Sequence, residues 1–401
     1  MHSYIALLGH HPAISIAELS ALLPDMTIEA KTQQYVRFST KTEIDQAWLQ
    51  TIGGTILIAK RVISDAVTLQ NVPEILRTEL DGLKGKVVFS LRFIGIAPKQ
   101  SQLLYRACKD GLKAKGMSSR YIGNEREAAK PIQLHDEGIL DPKQGCELLV
   151  LQEKDGLWIG RTVAAQDVKE YTRRDMEKPV RDTRAGLLPP KLAQILINLG
   201  LFTSKSLTKK NQDILIFDPF CGTGVIPIES MVRGFSVLAS DLSDTAVRGC
   251  TGNVEWVRKT YKILKKDTDA TVWKQDAKKA FELKVKPTVI VTEGTLGPAL
   301  KSRPTVKDAE TYARDAEELA AAFLENCSKT LPDVSIVMTL PVWYAQKRMI
   351  WLQKIWKRSD ELGYKPVLPP HTDPSAPGRF SLLYRRSDQV VGREIVMFVR
   401  R

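Results

Sequence analysis

The chain has 401 residues and a formal net charge of +13. This length exceeds one ordinary domain, and a composition of 43% hydrophobic and 26% charged residues is typical of a globular protein with a sizeable core. No apolar run approaches 18 residues, and the N-terminus has no basic segment followed by a long apolar stretch. We therefore expect neither a signal peptide nor a membrane partner.

The positive charge favours a polyanionic partner, with nucleic acid first, although a merely basic protein is the alternative. The five cysteines are scattered and form no CxxC pair, which supports neither a metal site nor a disulfide framework. They are Cys108, Cys146, Cys221, Cys250 and Cys327. These features predict a reducing, cytoplasmic location.

Strand and helix patterns alternate irregularly in the first part of the chain. The predicted strands are residues 4–8, 35–38, 55–63, 87–93, 120–122, 147–152 and 157–164, and the predicted helices are residues 15–23, 44–49 and 103–115. The order is typical of α+β units, with a domain over 1–78 and a second over 79–167. Residues 168–184 are almost entirely polar and predict a linker, either a solvated connector or a segment that also contacts phosphate.

From residue 185 to residue 401, strands and helices alternate regularly. The predicted strands are residues 214–218, 235–241, 272–274, 288–292, 334–339, 379–385 and 394–399, and the predicted helices are residues 225–233, 243–259, 309–327 and 348–362. Such alternation predicts an α/β fold with a doubly wound parallel sheet, here closed by an antiparallel terminal hairpin.

A short glycine-rich turn, Asp218-Pro219-Phe220-Cys221-Gly222-Thr223-Gly224, joins the first of these strands to a helix. Gly222 and Gly224 let the backbone turn tightly beside a ligand, and Asp218 is placed to accept from an ammonium group. The turn lacks the Gly-Lys-Ser/Thr ending of a phosphate loop and the third glycine of a dinucleotide fingerprint. It therefore favours S-adenosylmethionine as the cofactor over an ordinary strand–turn–helix corner.

Acidic residues after the next two strands support this interpretation. Asp241 ends the second strand, 23 residues after Asp218, and is placed to hold both ribose hydroxyls. Alternatively it caps the following helix, although Ser243 is available for that role. Asp276 follows the third strand and is a weaker candidate for the adenine amino group, and Asn253 is weaker still.

Several segments resemble a known family. DPFCGTGVIPIES resembles the cofactor loop of the THUMP-containing RNA methylases, particularly the archaeal and eukaryotic tRNA guanosine-N2 methyltransferases that act on position 10. Residues 181–200, the opening YIALLGHHPAISIAELSALL and the closing LLYRRSDQVVGREIVMFVR resemble the corresponding parts of these enzymes. The resemblance is loose over residues 34–152.

The resemblance implies a ferredoxin-like N-terminal domain, a THUMP-like domain that grips tRNA, and a Rossmann-like catalytic domain. It also implies transfer of a methyl group to the exocyclic N2 amine of a guanosine in tRNA. The eukaryotic members imply a small activating subunit, which this sequence does not reveal.

The loop expected to handle the acceptor departs from the usual pattern. Amine methylases carry Asp/Asn-Pro-Pro-aromatic after the fourth strand, because a side-chain oxygen and a carbonyl hold the amine while the ring stacks on the extruded base. Here the residues are Thr292-Glu293-Gly294-Thr295-Leu296-Gly297-Pro298. The strand end places Thr292 at the polar position, and a shift of one residue places Glu293 there. Neither register supplies the prolines or the ring.

Three interpretations remain open: a variant amine methylase using Thr292 and Glu293, methylation of a different acceptor, or an RNA-binding protein without efficient catalysis. A DNA amino methyltransferase is a further alternative, disfavoured because the N-terminal half resembles an RNA grip. Glu293 also has the simpler roles of capping a helix or pairing with an arginine. Trp343 and Tyr344 are core residues or a replacement stacking surface, and Arg379 near the terminal hairpin is a candidate for phosphate contact.

Overall fold

A computed structural model describes residues 1–124, 127–154, 156–181, 187–300, 302–346, 348–386 and 389–400. Its strands are β1 His2–Leu8, β2 Thr27–Lys31, β3 Tyr35–Thr40, β4 Thr55–Arg61, β5 Val87–Ile94, β6 Ser119–Tyr121, β7 Gly145–Glu153, β8 Gly156–Ala165, β9 Leu215–Asp218, β10 Ser236–Asp241, β11 Ala270–Lys274, β12 Val289–Glu293, β13 Ser335–Ala345, β14 Arg348–Ile350, β15 Tyr364–Pro366, β16 Ser381–Tyr384 and β17 Val391–Arg400. Its α-helices are α1 Pro12–Leu22, α2 Gln46–Leu49, α3 Val72–Glu79, α4 Pro98–Ala114, α5 Pro131–Asp136, α6 Val168–Met176, α7 Pro190–Thr203, α8 Val225–Val232, α9 Asp244–Thr260, α10 Val306–Thr330 and α11 Ile355–Glu361.

The chain forms two compact units, of which the first comprises residues 1–12, 25–51 and 55–170. This unit is built on one eight-stranded sheet in the order β2-β3-β1-β4-β8-β7-β5-β6. Strands from both predicted N-terminal domains join in it, because β4 pairs with β8 in an antiparallel ladder. The division at residue 78 remains a prediction.

The second unit comprises residues 13–24, 52–54 and 171–401. Its sheet has the order β11-β10-β9-β12-β13-β17-β15, with β14 and β16 added beside β13 and β17. The five strands from β11 to β13 are parallel, and β17 is antiparallel to its neighbours. The predicted α/β fold with an antiparallel terminal hairpin is confirmed.

Alternating residues of the central strands face two different layers of this unit. Ile290 and Ile336 pack in the core formed with helix α10, whereas Val289 and Val337 pack in the core formed with α7. A strand buried on both faces needs apolar residues at every position, which is why β12 begins Val-Ile-Val. No helix in the described part of the chain is long and apolar enough to span a bilayer.

Two stretches of the chain differ from the sequence-based expectation. Residues 168–176 of the predicted linker form helix α6. The predicted helix over residues 348–362 is wrong in its first part, because β13 continues to Ala345 and turns back into β14 as an antiparallel hairpin. Trp343 pairs with Ile350, which is partly buried against the core that contains Trp343.

Candidate active site

A cavity of about 640 Å³ lies in the second unit at the carboxyl ends of β9, β10 and β12. The order β10-β9-β12 places it where the winding of the sheet reverses, which is the usual ligand position in doubly wound folds. The charged residues on the described part of its wall are three acids and one cation, namely Asp218, Asp241, Glu293 and Arg181.

Asp218 is the last residue of β9 and is 2% exposed. Its Oδ1 accepts from the Thr292 hydroxyl at 2.6 Å and from the Phe220 backbone N–H at 3.2 Å. Burial raises the pKa of this carboxyl to about 8, with Asp241 and Glu293 contributing further and the two hydrogen bonds opposing. Because a cation beside the carboxylate favours its ionised form, the site is suited to a positively charged ligand group.

The two glycines of the turn both have positive φ, but for different local reasons. Gly222 has φ +50°, and a Cβ there meets no atom within 4 Å, so its open side belongs to the cavity wall. Gly224 has φ +86°, and a Cβ there lies 2.7 Å from the Cys250 sulfur, so it lets α8 start close against α9. Only Gly222 therefore leaves room for a ligand.

Asp241 ends β10 and lines the cavity. Its Oδ2 accepts from the Gly222 N–H at 3.0 Å and its Oδ1 from the Ser243 N–H at 2.9 Å. Ser243 is the N-cap of α9, so Asp241 is not needed for that role. The two backbone bonds orient the carboxylate, which still has lone pairs for ligand hydroxyls.

Asp276 is not among the described residues that line the cavity. Its carboxylate accepts from the Lys278 N–H at 2.9 Å in the turn after β11. A direct role for Asp276 in ligand binding stays a prediction.

Asn253, on α9, ties the chain before α7 to the glycine-rich turn. Its side chain is fully buried, accepts from the Val180 N–H at 3.0 Å, and donates to the carbonyls of Val180 and Thr223 at 2.8 and 2.7 Å. The next residue, Arg181, lines the cavity. Residues 182–186 of the segment that resembles the family lie outside the described residues.

Thr292 and the loop after it differ in their relation to the cavity. Thr292 is fully buried and its hydroxyl is used by Asp218, whereas residues 293–297 line the wall. Gly297 has φ +76° and approaches the Trp343 ring so closely that a Cβ there lies 2.9 Å from Cζ2. Trp343 is fully buried, so it is a core residue that supports the loop and not an exposed stacking surface.

Glu293 is paired with an arginine from another strand. Its Oε1 accepts from Arg393 Nε, and their side chains are 16% and 2% exposed. Burial raises the pKa of Glu293, while the charge and hydrogen bond of Arg393 act in the opposite direction. A carboxylate thus faces the cavity at the end of β12 with one oxygen held in place.

The structure brings Asp218, Cys221, Gly222, Thr223, Asp241 and Glu293 of the predicted site together on the cavity wall. Pro219, Gly224 and Thr292 lie in the supporting layer, in the turn or beneath it. Sequence reasoning missed Arg393 and the clamping role of Asn253. No local motif marks Arg393, which lies 100 residues after Glu293.

Arg379 is a correction. It is 9% exposed and donates hydrogen bonds to both oxygens of Glu394 at 2.7 and 2.8 Å, so it is not available for phosphate.

Among the described residues there is no group of three or more His, Cys, Asp or Glu side chains arranged to hold a metal ion.

Comparison with a solved structure supports the fold. The chain is similar to TrmN from Thermus thermophilus over 100% of both chains, with a TM-score of 0.52 and 14% identity, which shows a shared fold. No family model matches the chain. The fold and the site define a Rossmann-like α/β domain with a ligand cavity at the carboxyl edge of its parallel sheet.

Curated relatives give the family. A probable tRNA (guanine(10)-N2)-dimethyltransferase from Methanothermococcus thermolithotrophicus is 31% identical over 121 residues, which are 29% of this chain and 67% of the relative. The chain belongs to the tRNA (guanine(10)-N2)-dimethyltransferase family, as its motifs had indicated. The tRNA (guanine(10)-N2)-dimethyltransferase of Pyrococcus abyssi is 29% identical over 44% of this chain. The match spans only 45% of that relative's length.

Proposed function

We propose that this chain is an S-adenosylmethionine-dependent methyltransferase that modifies the exocyclic N2 amine of a guanosine in tRNA. The observation that carries the proposal is the cavity at the carboxyl ends of β9, β10 and β12, with Asp218, Asp241 and Glu293 on its wall. The names of the family's members support tRNA as the substrate.

The wall fits the cofactor chemically. Asp218 is a buried acid suited to the ammonium group, Asp241 is an oriented carboxylate suited to the ribose hydroxyls, and Gly222 has open space beside it on the same wall. When bound, S-adenosylmethionine supplies a methyl group whose bond to sulfur breaks with the electron pair staying on sulfur. The backbone and these two acids fix the donor's position, which is the main requirement for an in-line transfer.

Glu293 is the residue we assign to the acceptor. The lone pair of an exocyclic amine is delocalised into the ring, and a carboxylate that accepts an amine hydrogen makes this lone pair more available. The nitrogen gains the methyl group and gives up one proton, which we assign to Glu293, the acid that lines the cavity from the loop after β12. Thr292 acts indirectly, because its hydroxyl is committed to Asp218.

The remaining parts of the proposal concern the partners and the compartment. A net charge of +13 supports a polyanionic substrate, and we assign residues 79–167 to a THUMP-like tRNA grip and residues 1–78 to a ferredoxin-like domain. All five cysteines are free and buried, which suits a reducing cytoplasm. The activating subunit stays a prediction.

The test is methyl transfer from labelled cofactor to unmodified tRNA, with duplex DNA as the comparison. We expect the purified chain to label tRNA and not DNA, and Glu293→Ala to abolish labelling while tRNA binding persists. Activity only after addition of a cell extract would support the activating subunit. Labelling of DNA alone would refute the tRNA assignment.

A second function is favoured by the composition of the loop. Residues 294–297 carry no aromatic ring, and Trp343 is buried beneath them, so the described part of the loop offers no stacking surface for a base. An RNA-binding protein without catalysis fits this observation. Tight tRNA binding with no transfer to any acceptor would select it.

A further inference from the structure

Arg393 is buried and pairs with Glu293 from a strand that is not the neighbour of β12 in the sheet. It lies on β17 opposite Pro341 of β13, whereas Glu293 ends β12 opposite Thr339 on the other side of β13. The guanidinium therefore reaches across one intervening strand, at the carboxyl edge of the sheet, to meet the carboxylate.

The arginine is also held from other directions. Its Nη2 donates to the carbonyl of Leu187 at 3.4 Å, and the Tyr384 ring centre lies 6.0 Å from its Cζ. Leu187 lines the same cavity as Glu293. The nearly buried guanidinium of Arg393 is thus close to residues of β12, β16 and the segment before α7, two of which line the cavity.

We propose that Arg393 is a positioning residue that fixes the Glu293 carboxylate for the acceptor amine; this inference rests on the proposed function. The two prolines that stiffen this loop in other amine methylases are absent, since Gly294 and Thr295 follow Glu293. A glycine adds backbone freedom where a proline would remove it. Arg393 supplies the missing restraint through the side chain, because its Nε bond holds one oxygen of the carboxylate.

The charges that act on Glu293 come from several elements. Arg393 on β17 contacts it directly, while Asp218 on β9, Asp241 on β10 and Arg181 before α7 share the cavity wall. Asp218 and Glu293 oppose each other's ionisation, and Arg393 is the cation in contact with Glu293. Loss of Arg393 should therefore shift the ionisation of Glu293 to higher pH.

The experiment compares Arg393→Met and Arg393→Lys with a matched control, Arg379→Met. Arg379 is also buried on the β16–β17 side of the sheet and pairs with Glu394, but neither residue lines the cavity. We expect Arg393→Met to lower kcat by about 100-fold, with KM for tRNA within about threefold. The acid limb of its kcat profile should move up by about one pH unit. Arg393→Lys should recover part of kcat because it keeps the charge. Arg379→Met should lose thermal stability without a change in the acid limb.

Two further measurements separate positioning from folding and from the proposed function. In a Glu293→Gln background, Arg393→Met should cause no further loss of kcat, because it acts through Glu293. Carbon-13 NMR of labelled glutamate carboxyls, with Glu293 assigned by its loss in Glu293→Gln, should show that Arg393→Met raises the Glu293 pKa. This readout needs no turnover, so it tests the inference even if tRNA is not methylated. An unshifted Glu293 titration, or equal effects of Arg393→Met in both backgrounds, would overturn the proposal.

Discussion

Replacing Asp218 by asparagine should stabilise the free protein while weakening cofactor binding. The carboxyl is 2% exposed, and its pKa of about 8 lies well above the value of 3.8 for an ordinary aspartate. Because the folded-state pKa is raised, the stability that protonated Asp218 provides is complete below pH 3.8 and is lost as pH rises toward 8. Asparagine has the same shape and can still accept from Thr292 and Phe220, but it has no charge to desolvate.

The difference in stability between Asp218→Asn and wild type should change with pH, and the size of this change does not depend on the cost of burying the new amide. At about 1.36 kcal/mol for each pH unit, the stability of Asp218→Asn relative to wild type should grow by about 3 kcal/mol between roughly pH 5.5 and 8.0. At about 2–4 °C per kcal/mol, the difference in Tm should widen by about 6–12 °C.

The assay is calorimetric unfolding at both pH values, with Asp213→Asn as the control. Asp213 is exposed and lies in the turn before the same strand, so its replacement should leave the difference in Tm independent of pH. A difference between Asp218→Asn and wild type that stays constant with pH would refute the argument that a buried, protonatable carboxyl forms the cofactor site.

Three other results follow from the same contacts. Gly222→Ala should lower stability by about 1 kcal/mol because of the positive φ, and should also weaken binding of S-adenosylhomocysteine. Gly224→Ala should lower stability more, because its Cβ lies 2.7 Å from the Cys250 sulfur. Equal effects of the two variants on binding and on unfolding would contradict this. Calorimetric affinity for S-adenosylhomocysteine should rise as pH approaches about 8, because Asp218 becomes ionised as pH rises through its pKa, and should fall at still higher pH, where the ligand's α-amino group loses its proton; a flat profile would be inconsistent with this. Arg174→Met should lower the free energy of unfolding by about 3–5 kcal/mol, because it leaves the fully buried Glu229 without its 2.7 Å ion pair. Adding Glu229→Gln to that variant should restore part of the lost stability. No recovery would exclude the ion-pair explanation.

Much of the second unit was predictable from local patterns. The apolar strand that ends in Asp218, the two glycines and the acid at Asp241 are determined within a few residues of each other, because a strand–turn–helix unit forms from short-range contacts. The terminal hairpin was predictable for the same reason. The first part of the predicted helix over residues 348–362 was wrong, because the extension of β13 to Ala345, a longer-range feature, decides whether Ile350 belongs to a strand.

The less predictable features join residues far apart in the chain. Arg393 meets Glu293 across β13, and Asn253 holds the backbone of Val180 73 residues earlier. Residues 13–22 of helix α1 belong to the second unit although they lie near the N-terminus, and the buried Glu18 accepts from Asn198 at 2.6 Å. Periodicity and turn signals contain no information on such pairs, because each depends on which strands become neighbours.

Mass spectrometry of tRNA nucleosides from cells with and without this protein tests the central claim most directly. We predict that N2-methylated guanosine in tRNA falls when the gene is removed, and returns with the wild-type chain but not with Asp218→Ala or Glu293→Ala. Unchanged N2-methylguanosine in tRNA lacking the protein would contradict the account.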